Sequence, residues 1–297
     1  MYHIPVMLDE CINGLQILPD GIYVDATFGG GGHSKEILKH LNENGKLFVF
    51  DVDDDVQQNV PNDKRCTWIK ANYRHLKRFL KLYNVTQVNG ILADFGISSH
   101  QIDEPERGFS TRFDAPLDMR MNRSEGVSAK DIVNNYSAEQ LQHILGNYGE
   151  VINAKTLAKK IVEHRTAQPI ETTGELVEIC KSVSRGIEVK YLSQVFQAIR
   201  IEVNDELNAI KDFLEQSEEV LAKDGRLVIM SYHSLEDKLT KNFMRNGVFE
   251  GEPEKDVFGK FEHHLRVITK KPIEASSEEL KRNKRARSAK LRIAEKI

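Results

Sequence analysis

A glycine-rich stretch, residues 25–33, holds the side chains and spacing that most clearly indicate chemistry in this chain of 297 residues. It reads DATFGGGGH, follows an apolar run at residues 21–25 and precedes apolar residues at helical spacing in residues 34–41. A buried strand, a glycine turn and a helix form the first unit of a nucleotide-binding α/β sheet. Glycine suits such a turn because a Cβ would collide with a closely held ligand. The alternative is a strained structural turn without a ligand.

The spacing of this stretch differs from the dinucleotide-binding fingerprint. With Gly29 as the first glycine, that fingerprint requires a glycine where this chain has Ser34. The turn also begins with a carboxylate, Asp25, whereas a pyrophosphate at a helix N-terminus favours surroundings without negative charge. S-adenosylmethionine carries a sulfonium and an ammonium group, so the stretch favours a cationic ligand of this kind.

A second acidic residue stands where an adenosine cofactor would be bound. Asp51 ends the apolar stretch 46–51 and lies 22 positions after Gly29. An acidic side chain at the end of the second strand can bind both ribose hydroxyls of NAD or of S-adenosylmethionine. For the following residues, 53–55, a solvated turn or helix cap is the better interpretation.

Two further polar residues follow apolar stretches. Asp94 ends residues 88–94, and His233 comes shortly after residues 225–231. Ligands of open α/β sheets bind at the carboxyl ends of the strands, so both side chains are predicted at one edge. For His233, capping of the following helix is the alternative.

The elements that would position these residues alternate between strands and helices. Strands are predicted near residues 21–25, 46–51, 66–71, 88–94 and 225–231, with a final strand over 261–271. This alternation predicts a Rossmann-like, doubly wound and mostly parallel α/β sheet. Residues 105–204 contain several helix starts and no convincing central strand, which predicts an inserted helical domain. Residues 1–104 and 205–297 would then form one discontinuous α/β domain.

Composition indicates a globular protein with a sizeable core, because 40% of the residues are hydrophobic and 29% are charged. No apolar run approaches the roughly 20 residues of a membrane span, and no secretion signal is visible, so we expect a cytoplasmic protein. The widely spaced Cys11, Cys66 and Cys180 fit a reducing compartment. They predict neither a disulfide framework nor a metal site.

Positive charge is concentrated near residue 290. The net charge is −3, yet residues 281–292 contain seven basic residues and no acid. Such a run can neutralise the phosphates of a nucleic acid, and a solvated tail is the alternative. Residues 276–279, which read SSEE, predict a capped helix before the run.

Nine motifs, in order over essentially the whole chain, resemble the bacterial small-subunit ribosomal RNA cytosine-N4 methyltransferases. They are HIPVML at 3–8, DATFGGGGHS at 25–34, DFGISSHQ at 94–101, RGFS at 107–110, PLDMRM at 116–121, YGE at 148–150, FQAIRI at 196–201, HSLED at 233–237 and RARSAKLR at 285–292. The resemblance implies a class I methyltransferase sheet with a helical insertion for RNA recognition. It also implies S-adenosylmethionine as donor and a cytidine in the decoding region of 16S ribosomal RNA as acceptor.

The resemblance also assigns residues to the cofactor. Within the matching motifs, the implied cofactor-binding residues are Gly31, Gly32, His33, Asp94 and Gln101, and by their positions between these motifs Asp51 and Tyr73 are implied as well. Tyr73 stands where the family usually has phenylalanine, and either ring can pack against adenine.

The implied reaction makes demands on the residues near the cofactor. The N4 amine of cytosine is a weak nucleophile because its lone pair is delocalised into the ring, so an acceptor for its hydrogen would help. Asp94 is the best catalytic candidate, with Ser98 or Ser99 orienting the amine and His233 contacting the base. The alternatives are a backbone carbonyl as acceptor and an Asp94 that only binds the cofactor.

Arginines and aromatic rings crowd the start of the predicted insertion. They are Arg107, Arg112, Arg120 and Arg123, interleaved with Phe109, Phe113 and Met121. Planar groups that stack bases, next to charges that meet phosphates, suit an unstacked RNA nucleotide. Domain packing is the alternative, and we expect both, with the phenylalanines mostly in the packing. Arg200 could contact phosphate or pair with Glu202 or Asp205.

Two other classes of protein stay open. An NAD-type oxidoreductase is disfavoured by the glycine spacing and by Asp25. A non-catalytic RNA-binding ribosome assembly factor is disfavoured because every residue that matches the cofactor site is present. The expected partner is 16S ribosomal RNA in the small subunit or its precursor. No membrane partner is expected, and a homodimer is an option that the sequence leaves open.

Overall fold

The chain divides into two compact units in the computed structural model, which describes residues 5–254, 261 and 263–297. The first unit contains the residues up to Gly96 and those from Leu207 onward, and the second contains residues 97–206. Positions 3 and 4 of the HIPVML motif and position 262 of the predicted final strand lie outside the described residues.

Strands and helices alternate along the first unit. Its strands are β1 (Ile22–Asp25), β2 (Lys46–Asp51), β3 (Cys66–Lys70), β4 (Val88–Asp94), β5 (Leu221–Ser231), β6 (Leu265–Val267), β7 (Ile273–Glu274) and β8 (Lys290–Lys296). The α-helices of both units, among the described residues, are α1 (Leu8–Leu15), α2 (Gly32–His40), α3 (Leu76–Leu82), α4 (Ser99–Asp103), α5 (Ala129–Asn135), α6 (Ala138–Asn147), α7 (Ala154–Ala167), α8 (Thr173–Val183), α9 (Glu188–Asn204), α10 (Glu206–Val220), α11 (Ser234–Asn246) and α12 (Ser277–Arg282).

One mixed sheet organises the first unit, and its strand order is β3-β2-β1-β4-β5-β8-β6, with β7 also paired to β8. Strands β1 to β5 are parallel, and β8 is antiparallel to β5. The predicted doubly wound α/β fold is therefore confirmed. The strand order reverses at β1, which lies between β2 and β4, and such a reversal opens a crevice at the carboxyl ends of the strands.

Helices cover both faces of this sheet, which explains why its central strands read as continuous apolar runs. Residues 47–50 of β2 are all buried, and they alternate between two core clusters. One cluster includes side chains of α1 and α2, and the other includes side chains of α3, α10 and α11. Burial on both faces fixes the strand ends, and the strand ends position the polar residues that follow.

Capped helices build the second unit. Ser137 and Thr172 accept hydrogen bonds from the backbone of the first turns of α6 and α8, as their sequence patterns predict. The helices enclose their own core, which includes Phe109, Leu117 and Met119 from the loop that precedes α5. Among the described residues, no helix combines the length and apolar character that crossing a bilayer requires.

The prediction of a final strand over residues 261–271 is confirmed for β6, but it is wrong in the length of the strand and in placing it last. Among the described residues of 261–271, the short β6 is the only strand, and the strand beside β5 is β8, which begins within the basic run. Strand β8 was not predicted because it contains charged residues, which are usually exposed. In the structure these charges are buried in pairs: Arg292 is 6% exposed and is bound by Asp237, and Glu295 pairs with Arg226 at 2.6 Å. A solvated tail is therefore wrong for residues 290–296.

The paired arginine in β8 gives a test of this arrangement. Nε and Nη2 of Arg292 donate to the two carboxylate oxygens of Asp237 at 2.7 and 3.1 Å. Removing one partner leaves the other charge buried, so Arg292→Ala should lower the free energy of unfolding by about 3 kcal/mol. Urea titration measures the change. The exposed Arg287→Ala is the matched control, and an equal loss in both variants would contradict the burial of the pair.

Candidate functional site

Aspartates end three neighbouring strands of the first unit at the same edge of the sheet. Asp25 ends β1, Asp51 ends β2 and Asp94 ends β4. These strands are adjacent and parallel, so their carboxyl ends lie side by side. Each carboxylate is bound by donors within the first unit, and these donors define the site.

The glycine turn after β1 needs its glycines for backbone conformation. Gly29 and Gly31 have φ angles of 50° and 72°, in the left-handed region that residues with a Cβ rarely adopt. At Gly31 an added Cβ would also lie 2.7 Å from the ring of Phe28. The turn ends as the N-cap of α2, where free backbone amides point away from the helix.

The turn is fastened to the second strand through Asp51. The amide of Gly29 donates to Oδ2 of Asp51 at 2.9 Å, and the amide of Asp53 donates to Oδ1 at 3.0 Å. Burial raises the pKa of Asp51 to about 6, although these amides oppose the rise. Each oxygen keeps a further lone pair, so the carboxylate can still accept hydrogen bonds from a pair of hydroxyls. Asp53 caps the next turn, as the sequence indicates.

Asp25 supports the turn from inside. It is 2% exposed, the Ser34 hydroxyl donates to its Oδ2 at 2.6 Å, and the Thr27 amide donates to Oδ1 at 3.2 Å. Burial raises its pKa, and His33 opposes the rise. This environment makes Asp25 an organiser of the loop and leaves little of its surface for the direct ligand contact that the sequence suggests. Ser34, which stands where the dinucleotide-binding fingerprint requires glycine, is the hydroxyl donor that binds Asp25.

Asp94 is held by a tyrosine from the neighbouring strand. The Tyr232 hydroxyl donates to Oδ1 of Asp94 at 2.6 Å, and the Asp94 amide donates to Oγ1 of Thr27 at 2.6 Å. Burial raises the pKa of Asp94 to about 6, with His33 and the Tyr232 hydrogen bond opposing the rise. Burial and the charge of Asp94 raise the pKa of Tyr232 well above its usual range. The tyrosine therefore stays a donor and orients the carboxylate.

His33 links the glycine turn to the segment before α1. Its Nε2 lies 3.0 Å from the carbonyl oxygen of Val6, which can only accept, so Nε2 carries the hydrogen. A Cβ added at Gly32 would lie 2.9 Å from the ring of Pro5. The predicted cofactor residues Gly32 and His33 thus pack against the start of the described chain. The proximity of His33 lowers the pKa of Asp25 and of Asp94, against the rise that burial causes.

Tyr73 lies after the third parallel strand in a half-buried aromatic group. Its ring centroid is 5.7 Å from that of Phe95 and 5.3 Å from that of Phe213. These contacts fix the ring after β3, beside the strand that ends in Asp51. The expectation that Tyr73 packs against a cofactor ring stays a prediction.

His233 has a structural task at the start of α11. Its Nδ1 accepts from the Glu236 amide at 3.5 Å, and its Nε2 lies 3.2 Å from Oε1 of Glu236. The buried carboxylate of Glu236 in turn accepts from the amides of Tyr232 and His233 at 2.7 and 3.3 Å. This reciprocal cap agrees with the alternative given for His233 from the sequence, in which the residue caps the following helix. A catalytic role of His233 stays a prediction.

Ser98 and Gln101 lie at the start of the second unit and bind each other. The Gln101 amide donates to the Ser98 hydroxyl at 3.2 Å, and the Ser98 amide donates to the Gln101 side chain at 3.0 Å. This capping box starts α4 and leaves Gln101 4% exposed. Ser98 is predicted to orient an amine, and Gln101 is predicted to bind the cofactor. Each residue would have to do so while it keeps its hydrogen bond to the other.

The arginine-rich loop of the second unit separates into buried and exposed members. Arg107 is 1% exposed and donates to the carbonyls of Arg120 and Met121 at 3.2 and 3.0 Å. Its guanidinium binds the loop itself, which corresponds to the packing alternative for this residue. Arg120 and Arg123 face Asp118, at 2.7 and 3.8 Å.

Arg112 and Phe113 differ from the other members of that loop. Phe113 is 41% exposed, and the Arg112 guanidinium lies 5.3 Å from its ring centroid. Both residues line a cleft of about 470 Å³ in the second unit. Arg200, by contrast, pairs with Glu206 at 2.8 Å within the second unit, so the pairing alternative holds for it, with a different acid.

Two residues that form hydrogen bonds with Asp94 were not predicted as its partners from the sequence. Thr27 lies within the motif at 25–34 and Tyr232 directly precedes the motif at 233–237, yet neither was assigned a hydrogen bond to Asp94. The sequence does indicate that both residues follow predicted strands, β1 and β5, and therefore lie at the edge of the sheet where ligands bind.

Comparison with known proteins gives consistent matches over the full length. A family model described as the MraW methylase family matches residues 1–297. The ribosomal RNA small subunit methyltransferase H of Cytophaga hutchinsonii is 56% identical over 299 residues, covering 100% of both chains. The protein of that name from Flavobacterium johnsoniae is 54% identical, covering 100% of this chain and 98% of its own. A solved rRNA methylase from Streptococcus thermophilus covers 98% of this chain and 93% of its own, with TM-score 0.41 and 11% identity.

The raised pKa of Asp94 predicts a specific pH dependence of stability. The folded-state pKa of about 6 exceeds the ordinary value of 3.8, so the ionised carboxylate costs free energy above pH 6 and nothing below pH 3.8. The melting temperature of Asp94→Asn, relative to the parent chain, should therefore be higher at about pH 8 than at about pH 4.

A second aspartate provides a control of opposite sign for this stability experiment. Hydrogen bonds from Arg65 lower the pKa of Asp63 to about 2, so the ionised form stabilises the fold. Asp63→Asn should lower the melting temperature at neutral pH, and its deficit should shrink in acid. Parallel pH trends for the Asp63 and Asp94 variants, measured by scanning calorimetry, would contradict the assignment for Asp94.

Proposed function

This chain belongs to the MraW methylase family, and from that premise we propose that it transfers a methyl group from S-adenosylmethionine to N4 of a cytidine in the decoding region of 16S ribosomal RNA. The observation that carries the proposal is the Asp94 carboxylate, held by Tyr232 beside the glycine turn of a doubly wound sheet. Two relatives of more than half identity are named ribosomal RNA small subunit methyltransferase H, which supports the RNA substrate. The motif resemblance supports the cytosine N4 position.

The residues of the first unit fit the donor. When bound, S-adenosylmethionine supplies a methyl group activated by a sulfonium. Asp51 offers lone pairs to two ribose hydroxyls, and the half-buried ring of Tyr73 offers a surface to adenine. Gly30 borders open space, since a Cβ added there would meet no atom of the described residues within 4 Å. The carboxylates at this edge supply the negative potential that a cationic donor requires.

Asp94 is suited to receive the acceptor amine. A carboxylate with one oxygen bound by Tyr232 has its second oxygen available to accept an N4–H hydrogen bond. Such a bond increases the electron density on nitrogen, and the carboxylate can take the proton once the new N–C bond has formed. Its pKa of about 6 leaves it ionised at neutral pH, as an acceptor must be. Holding donor and acceptor in line supplies a large part of the acceleration.

The second unit contains an exposed group that suits an RNA base. Phe113 presents part of its ring to solvent, and Arg112 lies against it. The Thr173 hydroxyl donates to the Phe113 carbonyl at 2.7 Å, so the ring stands on a fixed backbone. Aromatic rings and guanidinium planes stack unpaired bases irrespective of sequence. We therefore assign RNA contact in the arginine-rich loop to Arg112 and Phe113.

Labelled methyl transfer tests the function directly. The protein is incubated with labelled S-adenosylmethionine and isolated small ribosomal subunits that lack the modification, and nucleosides are then separated by mass. We expect one methyl group on N4 of a cytidine. Donor binding without incorporation into subunits, their precursors or naked RNA would instead support a non-catalytic RNA-binding protein. Methylation of another atom would overturn the assignment to N4.

Two variants test the role of Asp94 in this reaction. Asp94→Asn should lower the turnover rate by roughly 100-fold or more, because the amide cannot accept the proton. In the parent chain the turnover rate, at saturating donor, should fall as pH drops through about 6. Tyr232→Phe should move this fall to higher pH, since its hydrogen bond lowers the pKa of Asp94.

Calorimetric titration with the donor separates binding from chemistry in these variants. Full turnover by Asp94→Asn with normal donor affinity would exclude the acceptor role. A turnover loss matched by an equal loss of donor affinity would reduce Asp94 to cofactor binding.

A further inference from the structure

Exposed positive charge is concentrated in one short segment of the first unit. Lys281, Arg282, Lys284 and Arg287 are all exposed, on α12 and on the 3-10 turn that follows it. Within the described part of the chain, none of these four has an ion pair, whereas Lys290 and Arg292 of the same run face Asp237. Of the seven basic residues of the run, Lys290 and Arg292 are ion-paired and Arg285 is half-buried. The four exposed cations that remain are named the basic rim.

The basic rim enters the sheet at the edge that carries the aspartates. Lys290, the first residue of β8, pairs with Ser231, the last residue of β5. Met230 pairs with Asp94 on one side and with Leu291 on the other. Asp94 and Leu291 are thus two strand spacings apart, roughly 10 Å. The chain reaches β8 from the carboxyl edge of the parallel strands, so the rim, which precedes β8, leads into the edge at which Asp94 lies.

A second set of contacts ties this segment to the glycine turn. The Ser276 hydroxyl caps α12 by accepting from the Glu279 amide at 3.1 Å. The Glu279 carboxylate accepts from the Met7 amide at 3.2 Å, and Val6 next to it is bound by His33. Ala286 and Ala289 are buried in the same core cluster as Phe28 and Met7. The backbone of the rim is therefore anchored, and only its cationic side chains extend into solvent.

We infer that the basic rim binds the sugar–phosphate backbone of the substrate RNA next to the nucleotide that enters the site. This inference rests on the proposed function, and it names a contact surface on the unit that carries the glycine turn. A target base has to leave its stack, while the phosphates on either side stay outside the site. The start of β8, which follows the rim, lies two strand spacings or roughly 10 Å from Asp94. About three stacked nucleotides span that distance, so phosphates a few nucleotides from the target base can extend towards the rim. Unpaired lysines and arginines gain most from such contacts, because counterions are released.

Salt-dependent RNA binding tests the rim. The double variant Lys284→Gln with Arg287→Gln is compared with Lys46→Gln with Lys223→Gln. The control pair consists of exposed lysines without ion pairs in the described residues, at or near the amino ends of β2 and β5. Both double variants lose two charges. The probe is a short fluorescent single-stranded RNA, and its affinity is measured by anisotropy over a range of salt concentrations.

For the rim variant, the slope of log Kd against log salt should fall by about 1.4, which is about 0.7 for each lost phosphate contact. The control variant should keep the slope of the parent chain. In methyl transfer to small subunits, the rim variant should raise KM and keep kcat within roughly twofold, because phosphate contacts supply binding that is uniform along the reaction. Donor affinity should not change.

The possible failures are distinguishable. Equal slopes for the parent chain and the rim variant, with RNA still bound, would overturn the rim and leave the proposed function intact. Equal losses in the rim and control variants would show a general charge effect and also overturn it. Absence of RNA binding and methyl transfer in the parent chain would overturn the proposed function and the rim with it. Unchanged melting temperatures establish that both variants are folded.

Discussion

Three carboxylates share one edge of the first unit's sheet, and much of the surrounding structure serves to keep them there. Desolvation disfavours this arrangement, and the raised pKa values of Asp25, Asp51 and Asp94 express that cost. At Asp94 the charge of Asp25 adds to the rise. The fold offsets it with donors. Backbone amides of the glycine turn bind Asp51, Ser34 binds Asp25, and a tyrosine binds Asp94.

The same donors explain why the polar site is rigid before any ligand enters. Each aspartate has an oxygen fixed by a bond of 2.9 Å or less, and the glycine turn is closed onto the second strand. His33 lowers the pKa of Asp25 and of Asp94 and holds the segment before α1 through Val6. A methyl transfer gains from such preorganisation, since orientation is established before the reacting groups meet. Negative potential at this edge also favours a cationic donor over a pyrophosphate.

Positive charge serves two separate purposes in this chain, and burial decides between them. Arg107 and Arg292 lie inside their own units and bind carbonyls or a carboxylate, so they hold a loop and a strand in place. Arg112 and the basic rim are exposed and rest on anchored backbone. Only cations of the second kind can exchange counterions for phosphates. The net charge of −3 conceals this division, because the acids are spread over the rest of the surface.

Local patterns made several elements predictable. Apolar runs that end in acids specified β1, β2 and β4, and capping residues specified the starts of α6, α8 and α12. The strand β8 was missed because its first residues continue a run of seven basic residues, and such a run resembles a solvated segment. Its burial depends on Asp237 and Arg226, which lie far away in the sequence. Local reasoning cannot supply partners of that kind.

The sequence by itself determined the fold class, the glycine turn and the acids that would face a nucleotide-like cofactor, since each depends on residue type and short-range spacing. Only the tertiary structure decided the protonation of Asp94, its bond to Tyr232, the burial of Arg107 and the exposure of Phe113. Desolvation and hydrogen bonding depend on which side chains meet after folding. Contacts across 138 positions, such as that between Tyr232 and Asp94, leave no mark in the spacing of either residue.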